Sequence, residues 1–307
     1  MATAFIQHPA CLLHDMGPHP ECPDRLKSIE THLVASGILP LLHPFEAPSA
    51  TRAQLARVHS LEHIDAIEAA APKRGRVALD SDTWMNPHTL EAALRAAGAV
   101  VLATDLVMAG TTENAFCNVR PPGHHATRDQ AMGFCFFNNI AVGVAHALEH
   151  HSLQRIAILD FDVHHGNGTE DIFKHEKRVM LCSTFQHPFY PYCGANSSSE
   201  HIINTPLAAH AGGKEFRAAV TNVWLPALGR FQPEMIFVSA GFDAHREDAM
   251  SNMQLVDEDY TWVTQQIKAV AATYAKKRIV STLEGGYAFE ALGRSATAHI
   301  TVLCGAR

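Results

Sequence analysis

No pair of cysteines in this chain has the spacing of a metal cage or a redox motif. The seven lie scattered at positions 11, 22, 117, 135, 182, 193 and 304. An odd, dispersed set without a CxxC excludes a disulfide framework and a thiolate zinc cluster, and fits a reducing, cytoplasmic setting. Long apolar runs are also missing, and none approaches the ~20 residues that a membrane span needs. The opening stretch Met1 to Pro9 has neither a basic start nor a signal-peptide core. Basic residues are outnumbered, 24 Lys and Arg against 31 Asp and Glu, for a net charge of −7. That balance argues against nucleic acid as a partner and permits cationic substrates. No internal repeat and no linker-like stretch interrupts the 307 residues. A hydrophobic fraction of 47% with 18% charged residues is that of a globular protein with a large core. The 21 histidines are expected to lie mostly on the surface, so only those inside motifs carry weight.

The chain is organised around Ile156 to Gly168, IAILDFDVHHGNG. Its first half is an apolar run that reads as a buried parallel strand. It then turns polar. Asp160, Asp162 and His164 alternate, and alternate side chains of an extended chain share one face. Glycines around Asn167 lead into a helix over 169–175. Three ionisable groups past the carboxyl end of a buried strand sit where open α/β sheets place their chemistry.

Other segments point the same way. A strand over 114–119 runs into Arg120-Pro121-Pro122-Gly123-His124-His125. Adjacent side chains diverge, so the two histidines are expected to be acid–base groups rather than joint ligands of one ion. Met235 to Ser239 is a buried strand ending near Asp243, and 278–283 is a strand ending in Glu284-Gly285-Gly286-Tyr287. Strands over 5–6 and 179–184 are also expected. Helices are expected near 24–34, 52–57, 61–70, 88–109, 140–150, 214–230, 257–275 and from 289 onward. Strands alternating with helices of crossover length predict one doubly wound parallel sheet, with residues 1–307 as a single domain.

These residues define a chemistry. Asp162, His164 and Asp243 would give zinc three ligands and leave an open position, the mark of a catalytic site. His124 or His125 would move the proton of the attacking water. Asp160 and Asn167 would accept hydrogen bonds from the two imidazoles and set their tautomers. Tyr287 would donate to the oxyanion. The reaction class is metal-assisted hydrolysis of an amide or similar carbonyl.

The motifs HPECPDR (19–25), RPPGHHA (120–126), GFCFFNN (133–139), DFDVHHGNGT (160–169), SAGFDAH (239–245) and EGGY (284–287) resemble, in order and across nearly the whole chain, the zinc-dependent histone deacetylase superfamily. The nearest likeness is to its class II-like bacterial histone deacetylase-like and acetylpolyamine amidohydrolases. The resemblance implies an arginase-like α/β fold with an eight-stranded parallel sheet. It implies zinc on Asp162, His164 and Asp243, His125 as general base, and His124 as its charged companion paired with Asp160. Asn167 stands where class II-like members carry Asn, and Tyr287 matches the carbonyl-polarising tyrosine. Gly133, Phe134, Phe189 or Tyr190, and Gly285 would border the acyl-lysine channel. Arg25 would line an inner acetate pocket, and Asp82 would hold the substrate backbone or amide. A structural potassium ion would use Asp160, Asp162, His164, Ser183 and Thr184.

One departure is Cys193 to Glu200, CGANSSSE, where the family usually has a glycine-rich stretch; the rim of the channel is expected to differ there. The chain ends soon after Tyr287 and reads as a bare catalytic domain. Acylated lysine in a protein or peptide and acetylpolyamine are both admissible substrates, and the oligomeric state is left open. An arginase-type ureohydrolase would need a second set of metal ligands that the sequence lacks. A non-catalytic acyl-lysine binder would not need Tyr287 or both histidines. Cys135 reads as a packed small apolar residue rather than a redox switch.

Overall fold

The computed structural model describes residues 2–306. Among the described residues, ten strands and ten α-helices follow one another. The strands are β1 (Thr3–Gln7), β2 (Leu42–Glu46), β3 (Val77–Ala78), β4 (Trp84–Met85), β5 (Asn114–Cys117), β6 (Ile156–Asp160), β7 (Val179–Gln186), β8 (Ile202–Leu207), β9 (Met235–Ala240) and β10 (Ile279–Leu283). The helices are α1 (Asp24–Ala35), α2 (Arg52–Leu55), α3 (Leu61–Ala70), α4 (Thr89–Met108), α5 (Asn139–Glu149), α6 (Asn167–Phe173), α7 (Gly213–Ala219), α8 (Leu225–Phe231), α9 (Asp257–Tyr274) and α10 (Phe289–Cys304).

Eight strands form one sheet in the order β2-β1-β5-β10-β9-β6-β7-β8, every pairing parallel. The central strands are buried along their whole length, as their unbroken apolar runs predict. Alanines on α4, among them Ala93, Ala96 and Ala97, are buried and let that helix pack closely on its neighbours. The Asn138 side chain caps α5 by accepting from the Ala141 amide at 3.1 Å.

Register places the site. Asp160 of β6 pairs with Ser239 of β9, which pairs with Thr282 of β10, which pairs with Cys117 of β5. Four adjacent strands thus end level, and their carboxyl-end loops emerge side by side. Two edge strands, β2 and β8, were not readable from residue patterning. Each contains a proline, Pro44 and Pro206, and each is partly exposed. Proline is tolerated at an edge because that strand need not donate inward, yet it hides the strand pattern. The helix expected over 214–230 is also interrupted: α7 passes through a π-type turn at Val220–Trp224 into α8, with Pro226 at its start.

Candidate active site

The chain leaves β6 at Asp160 and bends at once, so Asp160, Asp162 and His164 do not share one strand face. Backbone amides organise the turn instead. The Asp162 amide donates to Asp160 Oδ1 at 3.1 Å, and the His164 amide to Asp162 Oδ1 at 2.8 Å. Asp160 is thereby aimed at the loop after β5, while Asp162 and His164 are aimed at the loop after β9.

His164 Nδ1 lies 3.1 Å from Asp162 Oδ1 and 3.2 Å from Asp243 Oδ2. The outer carboxylate oxygens are held by backbone: the Gly285 amide donates to Asp162 Oδ2 at 2.8 Å, and the Val163 amide to Asp243 Oδ1 at 3.0 Å. A side chain on Gly285 would collide with Asp243, so the close approach requires glycine there. Asp243 Oδ2 is buried with no hydrogen-bond donor of its own. One imidazole nitrogen facing two carboxylates cannot satisfy both. Burial and the Asp162 charge raise the Asp243 carboxyl to about 6. Burial opposes charge on His164, yet the two aspartates still raise it to about 10. The trio therefore demands positive charge at its centre, and two carboxylates with an imidazole suit a borderline divalent cation.

His124 and His125 are buried, and their ring centroids lie 4.0 Å apart. The expected divergence of adjacent side chains fails here because the segment is a turn, not a strand. Their partners nevertheless differ. His124 Nδ1 meets Asp160 Oδ2 at 3.0 Å, and its Nε2 lies 3.8 Å from Asp162 Oδ2. Burial works against its charge, but Asp162 and Asp160 outweigh it and hold His124 well above the usual histidine range. His125 Nδ1 meets the neutral Asn167 Oδ1 at 2.8 Å. Burial and then the charges of His124 and His164 push His125 well below that range. The amide oxygen can only accept, so the His125 proton sits on Nδ1 and Nε2 keeps its lone pair.

A cavity of about 260 Å³ opens over this machinery. Its walls include His124, His125, Gly133, Phe134, His164, Phe189, Gly285 and Tyr287, with Asp82 also on the lining. Phe189 stacks on His164 at 5.5 Å, and the Phe134 ring meets Tyr287 edge-on at 6.0 Å. Burial raises the Tyr287 phenol well above its usual value, so it stays a donor at neutral pH. Arg25 is not on the cavity lining. It is buried with its guanidinium 4.8 Å from the centre of the Tyr287 ring, and it donates to the carbonyls of Gly286 (2.6 Å) and Glu284. Its place is therefore beneath Tyr287. Ser183 sits beside Asp160 in the strand register, with Thr184 next to it, both buried.

Tyr190, offered by the sequence as an alternative to Phe189, lines the cavity together with it, as does Pro122 of the histidine motif. Several contributors escaped the reading of motifs: Tyr192 and Met250 complete the cavity wall. Thr83 Oγ1 accepts from the Phe134 amide at 3.2 Å, tying the Asp82 loop to the channel. Glu284 is fully buried and accepts from the amides of Gly123 (2.7 Å) and His124 (3.1 Å) and from Ser239 Oγ (3.0 Å). It fixes the histidine loop from behind; its place beside Gly285 was the only signal. Glu21 is another hub, pairing with Arg120 at 2.5 Å and Arg25 at 3.2 Å. The Ser-rich rim is anchored through Asn204, whose Nδ2 donates to the Gly194 carbonyl and to Glu170 Oε2, both at 2.8 Å. Cys135 is buried, and burial pushes its thiol well up, as fits an unreactive packed residue.

Comparison with known proteins identifies the family and the fold. The family model described as "Histone deacetylase domain" matches residues 19–303. The chain belongs to that family. Among its relatives, a histone deacetylase-like amidohydrolase of Pseudomonas aeruginosa is 37% identical over 93% of this chain and 81% of its own. A probable deacetylase of Methanothermobacter thermautotrophicus is 36% identical over 98% of this chain and 90% of its own. The crystal structure of the HDA15 HD domain superposes with a TM-score of 0.93 at 35% identity, covering 99% of this chain and 88% of that one. The eight-stranded parallel sheet expected for a histone deacetylase-family enzyme is thus present. Among the described residues, no helix is long and apolar enough to cross a membrane.

Proposed function

We propose that this histone deacetylase-family enzyme, acting as one catalytic unit, removes acyl groups from N-acyl-lysine side chains with a single zinc ion. The observation that carries the reading is the convergence of Asp162, His164 and Asp243, with His164 lining a cavity walled by aromatic side chains. These three residues would hold the ion. When bound, it supplies Lewis acidity to the amide carbonyl and to the attacking water.

The chain's own groups do the rest. His125 Nε2, neutral and facing the cavity, takes the water proton and passes it to the lysine amine as the C–N bond breaks, leaving the acyl group as a carboxylate. His124, kept charged by Asp160 and Asp162, holds positive potential beside the reacting centre and limits further protonation of His125. Tyr287 donates its phenolic proton to the carbonyl oxygen as charge develops there. Arg25 sets the Tyr287 ring from below. Phe134, Phe189 and Tyr190 exclude water along an extended alkyl chain, and Gly133 leaves room between them for that chain. Asp82 stands at the mouth, where an amide or ammonium group would pass. A structural potassium ion would take oxygen ligands from Asp160, Asp162, His164, Ser183 and Thr184, beneath the catalytic loop.

A narrow apolar channel ending at an acidic mouth also admits acetylpolyamine, the second reading, which the Asp82 carboxylate favours. A panel of acetyl-lysine peptides, longer acyl-lysine peptides and acetylputrescine, assayed with and without chelator, separates the two. Turnover is expected with peptides and abolished by chelator. Chelator-insensitive turnover would sink the metal mechanism, and acetylputrescine as the strongly preferred substrate would replace the first reading with the second.

A further inference from the structure

A second histidine-rich group lies away from the cavity. Asp105 stands on the last turn of α4, His146 on the last turn of α5, and His150 and His151 just beyond α5. His146 and His150 are four residues apart and share a helix face, with ring centroids 4.9 Å apart and nearly parallel. His146 Nε2 lies 2.8 Å and His151 Nε2 2.7 Å from the same oxygen, Asp105 Oδ1. All four residues offer a ligand atom within 4.8 Å of the others. Among the described residues, this group and the catalytic trio are the two sets of His, Cys, Asp or Glu side chains that converge so closely.

We propose that Asp105, His146, His150 and His151 form a second metal site, for a borderline divalent ion such as zinc. Three imidazoles and one carboxylate match that ion's preference, and four protein ligands make a closed, structural centre. Ligands at ~2.0–2.1 Å from zinc stand about 3.3 Å apart in a tetrahedron, so the rings must back away from Asp105 by about 0.5 Å. Asp105 and His151 are both half-buried, which lets the carboxylate draw back from the buried His146 and His151 turn with it. The ion would replace the hydrogen bonds that now join Asp105 to the two rings; each neutral ring keeps its proton on the other nitrogen, and because only neutral imidazole ligates, binding weakens in acid.

One neighbour opposes loading. Arg57 Nη1 lies 3.1 Å from His146 Nδ1. A guanidinium can only donate, so Nδ1 accepts and the ring proton sits on Nε2. Metal binding must move that proton to Nδ1 and turn Arg57 aside. The consequence is a site weaker than the catalytic one. Its occupancy would clamp the rear of α5, whose front residues Asn138 and Asn139 hold the carbonyls of Ala126 and Pro121 around the catalytic histidine loop.

The test is metal stoichiometry on the full, tag-free chain, stripped and re-equilibrated in zinc-buffered solution. Wild type should hold two zinc ions per chain. The double variant His150→Ala/His151→Ala should hold one and keep full deacetylation. Asp243→Asn should hold one, displaced by adding the histidine double variant. One ion in wild type that Asp243→Asn removes would overturn the second site and leave the catalytic reading standing. Two ions in the histidine double variant would also overturn it. One ion in wild type that survives Asp243→Asn would instead overturn the catalytic assignment.

Discussion

The molecule holds two clusters of imidazole and carboxylate built on opposite logic. In the proposed metal trio Asp162, His164 and Asp243, the outer oxygens are occupied by the amides of Val163 and Gly285, the centre is buried, and Asp243 Oδ2 has no donor. At the helix ends Asp105 Oδ1 already accepts from two rings, Arg57 adds a positive charge nearby, and His150 opens to solvent. The first cluster is electrostatically incomplete without a cation. The second is complete without one and would bind it only by giving up the hydrogen bonds that now saturate Asp105 Oδ1. Identical residue types therefore differ in metal demand because of what saturates their remaining atoms and how dry the centre is.

Removing a ligand from the incomplete cluster should have the largest effect. Asp243→Asn is expected to abolish zinc binding there and lower deacetylation by more than any single hydrogen-bond donor contributes, that is, beyond about 10²–10³-fold. Metal analysis beside kcat/KM checks both halves; full activity with no catalytic zinc would separate the trio from the chemistry. Next come the groups around it. Tyr287→Phe should lower kcat by about 10²–10³, equivalent to about 2.7–4 kcal/mol of barrier, with KM little changed. A KM effect alone would make Tyr287 a binding residue. His125→Ala should cost about 10²–10⁴ and remove the acid limb of the pH profile.

The pH dependence sharpens the comparison between the two adjacent histidines. As the proposed base, His125 would act when neutral, and its folded pKa lies well below 6.5. Wild-type kcat/KM should therefore stay level as pH falls through 6.5 and drop only below it. Asn167→Asp puts a carboxylate on Nδ1, as Asp160 does for His124. That favours the charged ring, raises the pKa and moves the acid limb up, so activity at pH 6 should fall more than at pH 8. An unmoved limb would mean that another group controls it.

The sheet centre and the trio were legible because their signals are local. Apolar runs end in Asp160, Asp243 and Glu284, and buried parallel strands read plainly. The edges were not, since Pro44 and Pro206 mask strands whose place is decided by the neighbours they pair with. Asp162 and His164, which converge with Asp243, were picked out through an alternation that does not exist in space, because side-chain-to-amide bonds, rather than strand geometry, set the turn after Asp160. Histidine was misjudged as a mainly surface residue. His14, His59, His63 and His299 are buried, the last held between Thr264 and Ser281 hydroxyls with burial pushing its pKa down to about 3. Long-range partners such as Asp105 for His146, 41 positions apart, leave no mark on a single sequence.

The smallest effect, and the one that most directly probes the contrast, concerns Arg57. In the catalytic trio nothing cationic from the protein touches His164, whereas Arg57 occupies the rear nitrogen of His146. Arg57→Gln removes the charge and offers a carbonyl that can accept from a protonated Nδ1. Nε2 is then freed toward Asp105 and the ion, the arrangement of a histidine ligand supported from behind, where such partners are worth about 10–100-fold in metal affinity. Zinc affinity at the helix-end cluster should rise toward that range, while deacetylation stays unchanged. Affinity that falls instead, with the fold intact, would show that Arg57 supports the cluster and that its histidines are a hydrogen-bonded helix clamp.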